Sequence, residues 1–335
     1  MTEPSRILII KMSSLGDVIH ALPSLYALRS LYPKAHITWA VHPAFAGILP
    51  EVPWIDEIYL VDRKKIKNLP YLLKVRRDLH ARHFDLVIDL QMIAKSALIA
   101  ALSGCSRRIG YWEAREGSGL VSHPVAGPHK EGHIIERLLD VIRFLGWQGE
   151  DIEFPLRSHE AEKVSIQKKL KDAGVTGSYA VLVPGTRWEA KNWPAPYWGE
   201  LARRLSEKNI FTVIIGTEKE QPLADTICRL SPSPYTVSLM GKTNLLELAA
   251  LEEGASMHLS GDTGPLHIAN AVKTPIIALF GPTLPDRSGP YGNNKSSVLL
   301  ADHPGTAETK MDTISVDAVY DLFMKKWEDG GGYHR

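Results

Sequence analysis

The sequence is that of an α/β protein with two open parallel-sheet domains in tandem, and three observations lead there. Short, wholly apolar runs alternate with segments of helical period, as in a parallel sheet covered by helices on both faces. The alternation restarts near residues 150–165 with a charged helical segment. The length, 335 residues, exceeds one usual core and fits about two domains of roughly 100–200 residues.

RILIIK (6–11) opens the chain as a strand, apolar almost throughout. A short loop, 12–17, leads into VIHALPSLYALRSLYP (18–33), apolar at helical spacing. HITWAVH (36–42), EIYLVD (57–62) and DLVIDLQ (85–91) read as strands, and KSALIAALSG (95–104) as a helix. The second half begins with a charged helix over 158–174, closed by Gly174 as a C-cap signal. YAVLVPG (179–185) is a strand running into a glycine turn, followed by a helix over 194–209 with proline near its start. FTVIIG (211–216), ASMHLSGD (255–262) and PIIALFG (275–281) are strand-to-loop units, with helices at 245–254 and 266–273 between them. A helix over 312–329 ends the fold, and 329–335 reads as a mobile tail. The expected domains are 1–160 and 161–335.

Composition narrows the function. Lys and Arg number 39 against 38 Asp and Glu, too balanced for a protein that coats nucleic acid. Two distant cysteines, Cys105 and Cys228, offer no disulfide framework or cysteine metal site and fit a reducing cytoplasm. The run Ile7–Ile10 is too short for a signal peptide, and no apolar stretch approaches membrane-spanning length.

Ligands of open parallel sheets bind beyond the carboxyl ends of the strands, so the turns there are the candidate site. In the second half, Gly185 and Thr186 follow a strand and Lys191 lies just before a helix. The Gly261-Asp262-Thr263-Gly264 turn repeats the pattern, strand to turn to helix. Helix N-termini, two threonine hydroxyls and a lysine make an anion site fit for a diphosphate without metal. Ordinary turns with Asp262 as an N-cap are the alternative. The dinucleotide G-x-G-x-x-G is missing, and Gly241-Lys242-Thr243 lacks the earlier glycine of a P-loop, so it reads as a turn.

In the first half, Asp17 follows Gly16 near a helix start. It is either a first-turn acid favoured by the helix dipole or a general base projecting into a cleft. His20 lies one turn on, on the same face. Residues 63–82 carry Arg63, Lys64, Lys65, Lys67, Lys74, Arg76, Arg77 and Arg82 against Asp78 alone, interleaved with Tyr71, Leu72 and Leu73. That is either a solvated helix or a surface for anionic lipid or phosphate. His129 and His133 are four apart, without the third ligand a metal site needs.

KMSSLGDVIHALPSL, DLQMIAKSAL, PGTRWEAKNWP and SGDTGPLHIANAVKTPIIALFGPT together resemble the heptosyltransferases of lipopolysaccharide core assembly, glycosyltransferase family 9, over roughly residues 6–292. The start and the run WEAREGSGL (112–120) look most like the heptosyltransferase I branch. The resemblance implies a GT-B fold: two Rossmann-like domains facing across a cleft, with a terminal helix crossing back. It implies an inverting transfer of L-glycero-D-manno-heptose from ADP-heptose to Kdo of Kdo-lipid A, with no metal or other cofactor. It further implies a monomer in the cytoplasm, held peripherally at the inner membrane. By it Asp17 is the general base, and Gly185, Thr186, Lys191, Asp262, Thr263, Gly264 and His267 hold the donor, with Glu220 on the ribose. Ser14, His20, Arg63, Lys64, Lys65, Lys67, Arg115, His133 and Arg137 would meet the acceptor. Met92 departs from the family's usual glycine.

Rival readings are heptosyltransferase II or another acceptor, a nucleotide-sugar 2-epimerase, and a non-catalytic ADP-sugar sensor. An epimerase has no use for the basic run, and a sensor has none for Asp17.

Overall fold

The computed structural model describes residues 3–157 and 160–330. It divides into two compact units, Met1–Ser158 and His159–Arg335. In the first, the elements run β1 (Arg6–Ile10), α1 (Leu15–His20), α2 (Leu22–Leu31), β2 (His36–Val41), α3 (Pro43–Ala46), β3 (Glu57–Leu60), α4 (Leu69–His80), β4 (Leu86–Asp89), α5 (Ala94–Leu102), β5 (Arg108–Tyr111), β6 (His123–Val125) and α6 (Ile134–Phe144). In the second they run α7 (Glu160–Asp172), β7 (Tyr179–Val183), α8 (Ala195–Ser206), β8 (Phe211–Ile214), α9 (Gln221–Leu230), β9 (Thr236–Ser238), α10 (Leu245–Gly254), β10 (Met257–Gly261), α11 (Gly264–Ala271), β11 (Ile276–Phe280), α12 (Pro285–Ser288), β12 (Ser296–Leu300) and α13 (Val316–Asp329).

Each unit holds a six-stranded parallel sheet. The orders are β3-β2-β1-β4-β5-β6 and β12-β11-β10-β7-β8-β9. Counted from the first strand of each unit, both are 3-2-1-4-5-6, the doubly wound Rossmann order. That order reverses direction between β1 and β4 and again between β7 and β10, and the crevice for a ligand opens at such a point. The central strands are buried on both faces, which explains their unbroken apolar runs: Ile7–Ile10 and Tyr179–Val183 are buried throughout. In the first unit one face is closed by Val75 and Leu79 of α4 with Ile99 and Ala100 of α5. In the second, Trp198, Leu201 and Leu205 of α8 pack with Val319, Phe323 and Trp327 of α13.

Two differences from the sequence reading have local causes. The single helix expected over 18–33 is two helices, broken at Ala21. Pro23, in the first turn of α2, lacks an N–H and so favours a fresh helix start. Second, β5 (RIGY), β6 (HPV), β9 (TVS) and β12 (SSVLL) carry charged, glycine, proline or hydroxyl residues in place of an unbroken apolar run, and they join the sheets together with the helices α6 and α9 as elements beyond those expected. The terminal helix buries its apolar stripe in the second unit's own core. Of the tail, residues 331–335 lie outside the described residues.

Candidate active site

The first unit's turn after β1 is built around a carboxylate. Asp17 is the third residue of α1, and its Oδ2 accepts from the Ser14 N–H and the Ser14 hydroxyl, both at 2.8 Å. Half of the earlier alternative is therefore met: Asp17 caps the helix start. Its side chain is nevertheless 44% exposed, with Lys11 Nζ 3.6 Å from Oδ1. Lys11 itself is buried at the end of β1 and donates to the Leu90 carbonyl at 2.8 Å. A lysine at the inner end of an apolar strand is the sequence signal for this partner.

Gln91, after β4, stitches the two strand ends together. Its Oε1 accepts from the Met12 N–H at 2.7 Å and its Nε2 donates to the Ser13 carbonyl at 2.9 Å. Arg63 donates to the Ser13 hydroxyl. Lys64, Lys65 and Lys67 of the same run are exposed, with Lys65 Nζ 3.5 Å from Asp62. Met92 occupies left-handed backbone at φ 49, the conformation in which glycine is at ease. Its side chain fills the space beside Gly110, where an added Cβ would stand 2.2 Å from the Met92 sulfur. The methionine here and the glycine there are complementary in size.

One turn along α1, the buried His20 ring meets His133 edge-on at 5.8 Å. His133 is the N-cap of α6, its Nδ1 accepting from the Ile135 N–H. Arg137 is buried, donates to the Gly132 carbonyl at 2.7 Å and lies 3.9 Å from Glu113. Arg115 is exposed, its N–H donating to the Met92 carbonyl. The Tyr111 hydroxyl is pushed up by burial and by the charges of Glu113 and Asp17, with Arg115 opposing. The two histidines of the HKEGH segment part ways, for His129 Nδ1 is 2.8 Å from Asp140.

The second unit brings its predicted turns into contact. A Cβ on Gly261 would meet the Lys191 carbonyl at 3.2 Å and the Thr186 methyl at 3.3 Å. Thr186 N–H donates to Asn192 Oδ1 at 2.8 Å, closing the turn after β7. Asp262 is not the N-cap of α11; Thr263 is. The Asp262 carboxylate, 12% exposed, instead receives Lys191 Nζ at 2.5 Å and the Thr283 hydroxyl at 2.8 Å on Oδ2, with His267 Nε2 3.8 Å from Oδ1. Burial alone would raise its pKa, but His267 and Lys191 outweigh it and hold the carboxyl well below the usual range. Lys191 also sits over the exposed Trp188 ring, 4.7 Å from the centroid.

Gly185 is required by its neighbour, since a Cβ there would lie 2.0 Å from Glu220 Oε1. Glu220 Oε2 accepts from Thr217 N–H and hydroxyl at 2.7 and 2.8 Å. Gly185, Thr186, Lys191, Glu220, Asp262, Thr263, Gly264 and His267 thus gather at the carboxyl ends of β7, β8 and β10. Thr283 and Asn192 join them unforeseen, although both lie within motifs quoted for the resemblance. Gly241-Lys242-Thr243 forms a turn, with Gly241 at φ 68.

Residues 72–316 match the model of glycosyltransferase family 9 (heptosyltransferase). The chain belongs to this family. Lipopolysaccharide heptosyltransferase 1 of Pseudomonas aeruginosa is 30% identical over 87% of the chain and 82% of its own length. Lipopolysaccharide heptosyltransferase 3 of Escherichia coli is 30% identical over 80% of each. The structure of E. coli heptosyltransferase WaaC with ADP-2-deoxy-2-fluoro heptose superposes with a TM-score of 0.74 at 27% identity, covering 96% of this chain and 99% of that one. The two Rossmann-like units are accordingly those of a GT-B glycosyltransferase, and membership makes the chain an enzyme of that class.

Proposed function

We propose that this family 9 member moves L-glycero-D-manno-heptose from ADP-heptose to a Kdo hydroxyl of Kdo-lipid A, inverting the anomeric carbon. The observation that carries the reading is Asp17, a carboxylate fixed by Ser14 yet 44% exposed at the first unit's switch point. The acceptor oxygen attacks the anomeric carbon as the bond to the diphosphate oxygen breaks. The hydroxyl proton passes to Asp17, and ADP departs with the bonding pair. Because the two events are on opposite faces of the sugar, configuration inverts. In support, the relatives at 30% identity are lipopolysaccharide heptosyltransferases, and a superposable one carries an ADP-heptose analogue.

Lys191 gives one donor to Asp262, and an ammonium has three; the others would meet the departing diphosphate together with the N–H groups of α11. Glu220, on its Thr217 mount, would take the ribose hydroxyls. Arg63, Lys64, Lys65, Lys67, Arg115, His20, His133 and Arg137 would form the anionic-acceptor side. No metal is called on, because lysine and helix N-terminus supply the positive potential; activity should survive EDTA, and loss restored by Mg²⁺ or Mn²⁺ would refute this. The chain would work as a monomer in the cytoplasm, peripherally on the inner membrane. Among the described residues no helix is long and apolar enough to cross one.

The equal identity to a heptosyltransferase 3 favours one second reading, the same donor with a later acceptor. Incubating ADP-heptose with Kdo-lipid A and, separately, with a heptosylated core separates the two by mass spectrometry. A heptose mass added only to the heptosylated core selects the second; none on either acceptor rejects both.

A further inference from the structure

We infer that the outward face of α4 docks on an anionic phospholipid bilayer. The inference rests on the reading above, in which the acceptor is carried in a membrane. α4 is held to its unit by the buried Val75 and Leu79, with Tyr71 and Leu72 partly buried beside them. At about 100° per residue, Leu69, Leu73, Arg76, Arg77 and His80 turn to the far side. Leu69 is 65% and Leu73 55% exposed. A single exposed leucine needs no explanation. Two leucines one turn apart, followed by two arginines on the same face and preceded by Lys64, Lys65 and Lys67, make an apolar strip in a cationic frame.

The neighbouring acids leave that frame positive. Asp78 takes Lys74 at 2.7 Å and Arg77 at 3.1 Å, Asp62 takes Lys65 at 3.5 Å, and Glu57 holds Arg82. Lys74, Arg77 and Lys65 are themselves well exposed, and pairs at such a surface are weak and exchange readily. Leucines on such a face sink to the headgroup–acyl boundary while the long basic stems reach the phosphates. Charge complementarity therefore selects an anionic lipid surface. A nucleic acid would want stacking rings rather than leucines, and twelve residues with this much charge lie along a membrane rather than through it.

The test mixes the full chain with vesicles of phosphatidylcholine alone and of phosphatidylcholine with phosphatidylglycerol. Sedimentation should recover it with the anionic vesicles only, less as salt rises. Arg76→Gln with Arg77→Gln should weaken binding about 30-fold, and Leu69→Ser with Leu73→Ser about 10-fold or more at unchanged charge. In Leu73→Trp the added indole emission should shift to the blue on anionic vesicles beyond any shift of the parent. Binding to neither vesicle, equal binding of the leucine variant, or no extra shift would overturn the docking face. Transfer to a deacylated, water-soluble acceptor separates this from the catalytic reading: the leucine variant should match the parent there and fall behind only on vesicle-borne acceptor. Absent soluble transfer by the parent would sink the transferase reading and leave the vesicle results to decide the docking.

Discussion

Asp17 and Asp262 flank the switch points of their units, one after the first strand and the other after the fourth, and have been given opposite surroundings. Each follows a central strand at a switch point, beside the first turn of a helix, with a lysine for company. Asp17 stands 3.6 Å from Lys11 and keeps 44% of its side chain exposed. Asp262 is 12% exposed, tied at 2.5 Å to Lys191, bonded by Thr283 and faced by His267. A carboxylate with that many positive and donating neighbours is a poor proton acceptor, since its pKa is held well below the usual range. The same residue type therefore stands as an accessible carboxylate in one unit and as a fixed counter-ion in the other, and the neighbours decide which.

The largest effect should come from removing the accessible carboxylate proposed as the base. Asp17→Asn keeps the shape and much of the capping ability but takes no proton. It should lower kcat by about 10²–10⁴-fold while ADP-heptose affinity, measured by calorimetry, changes little. Near-normal turnover in this variant would reduce Asp17 to a helix cap.

Breaking the counter-ion pair should instead cost stability and donor affinity together. Lys191→Ala leaves Asp262 largely buried without its ammonium partner, a loss of about 3 kcal/mol by the precedent of buried pairs. The pH dependence follows from the lowered pKa. The stabilisation of the native chain through Asp262 is fully present above pH about 4 and is lost as pH falls through the depressed folded value. The variant should show less of that acid-side loss in denaturant titrations. Unchanged stability at neutral pH would mean that the pair is a surface ornament.

How much of this contrast the sequence carried depends on the kind of fact. Apolar runs such as Ile7–Ile10 and Tyr179–Val183 announced the parallel strands, and the turns around Asp17, Thr186 and Asp262 followed from where those runs stop. The strand order that puts those turns at switch points is a long-range fact with no local period. Partners are equally hidden: the sequence offers Lys191 as a point charge suited to phosphate, and the fold bonds it to Asp262, seventy-one residues away. Thr283 lies on a third segment. The fit of Met92 against Gly110, on left-handed backbone, is likewise a contact between segments with no local signal.

A third strand-end carboxylate sharpens the comparison from the other direction. Asp89 is fully buried at the end of β4 and is pushed up to about 6 by that burial, against the N–H groups of Met92 and Gln91, the Ser96 hydroxyl and the Lys11 charge. Between about pH 4 and 6 the folded chain holds a proton there that the unfolded chain has released, so this site's contribution falls as pH rises through the window. Asp89→Asn should flatten that slope and raise stability at pH 7 by up to about 3 kcal/mol. A variant less stable than the parent at pH 7 would show that the charged form is needed to hold the β4 turn.

The mildest perturbation tests whether the two units keep separate ligands. Lys64, Lys65 and Lys67 are exposed in the first unit, whereas the turns proposed to hold the donor gather at β7, β8 and β10 of the second. Exposed charges act through a screened field, with a reach of about 8 Å at physiological salt, and each is worth at most about 1 kcal/mol. Replacing all three by glutamine should therefore raise the KM for the acceptor by roughly tenfold or somewhat more, and the gap between variant and parent should narrow as salt rises. Affinity for ADP-heptose should stay within about twofold, since no lysine of the run belongs to the donor group. An equal loss of donor affinity would assign the run to the nucleotide sugar and dissolve the division between an acceptor-facing and a donor-facing unit.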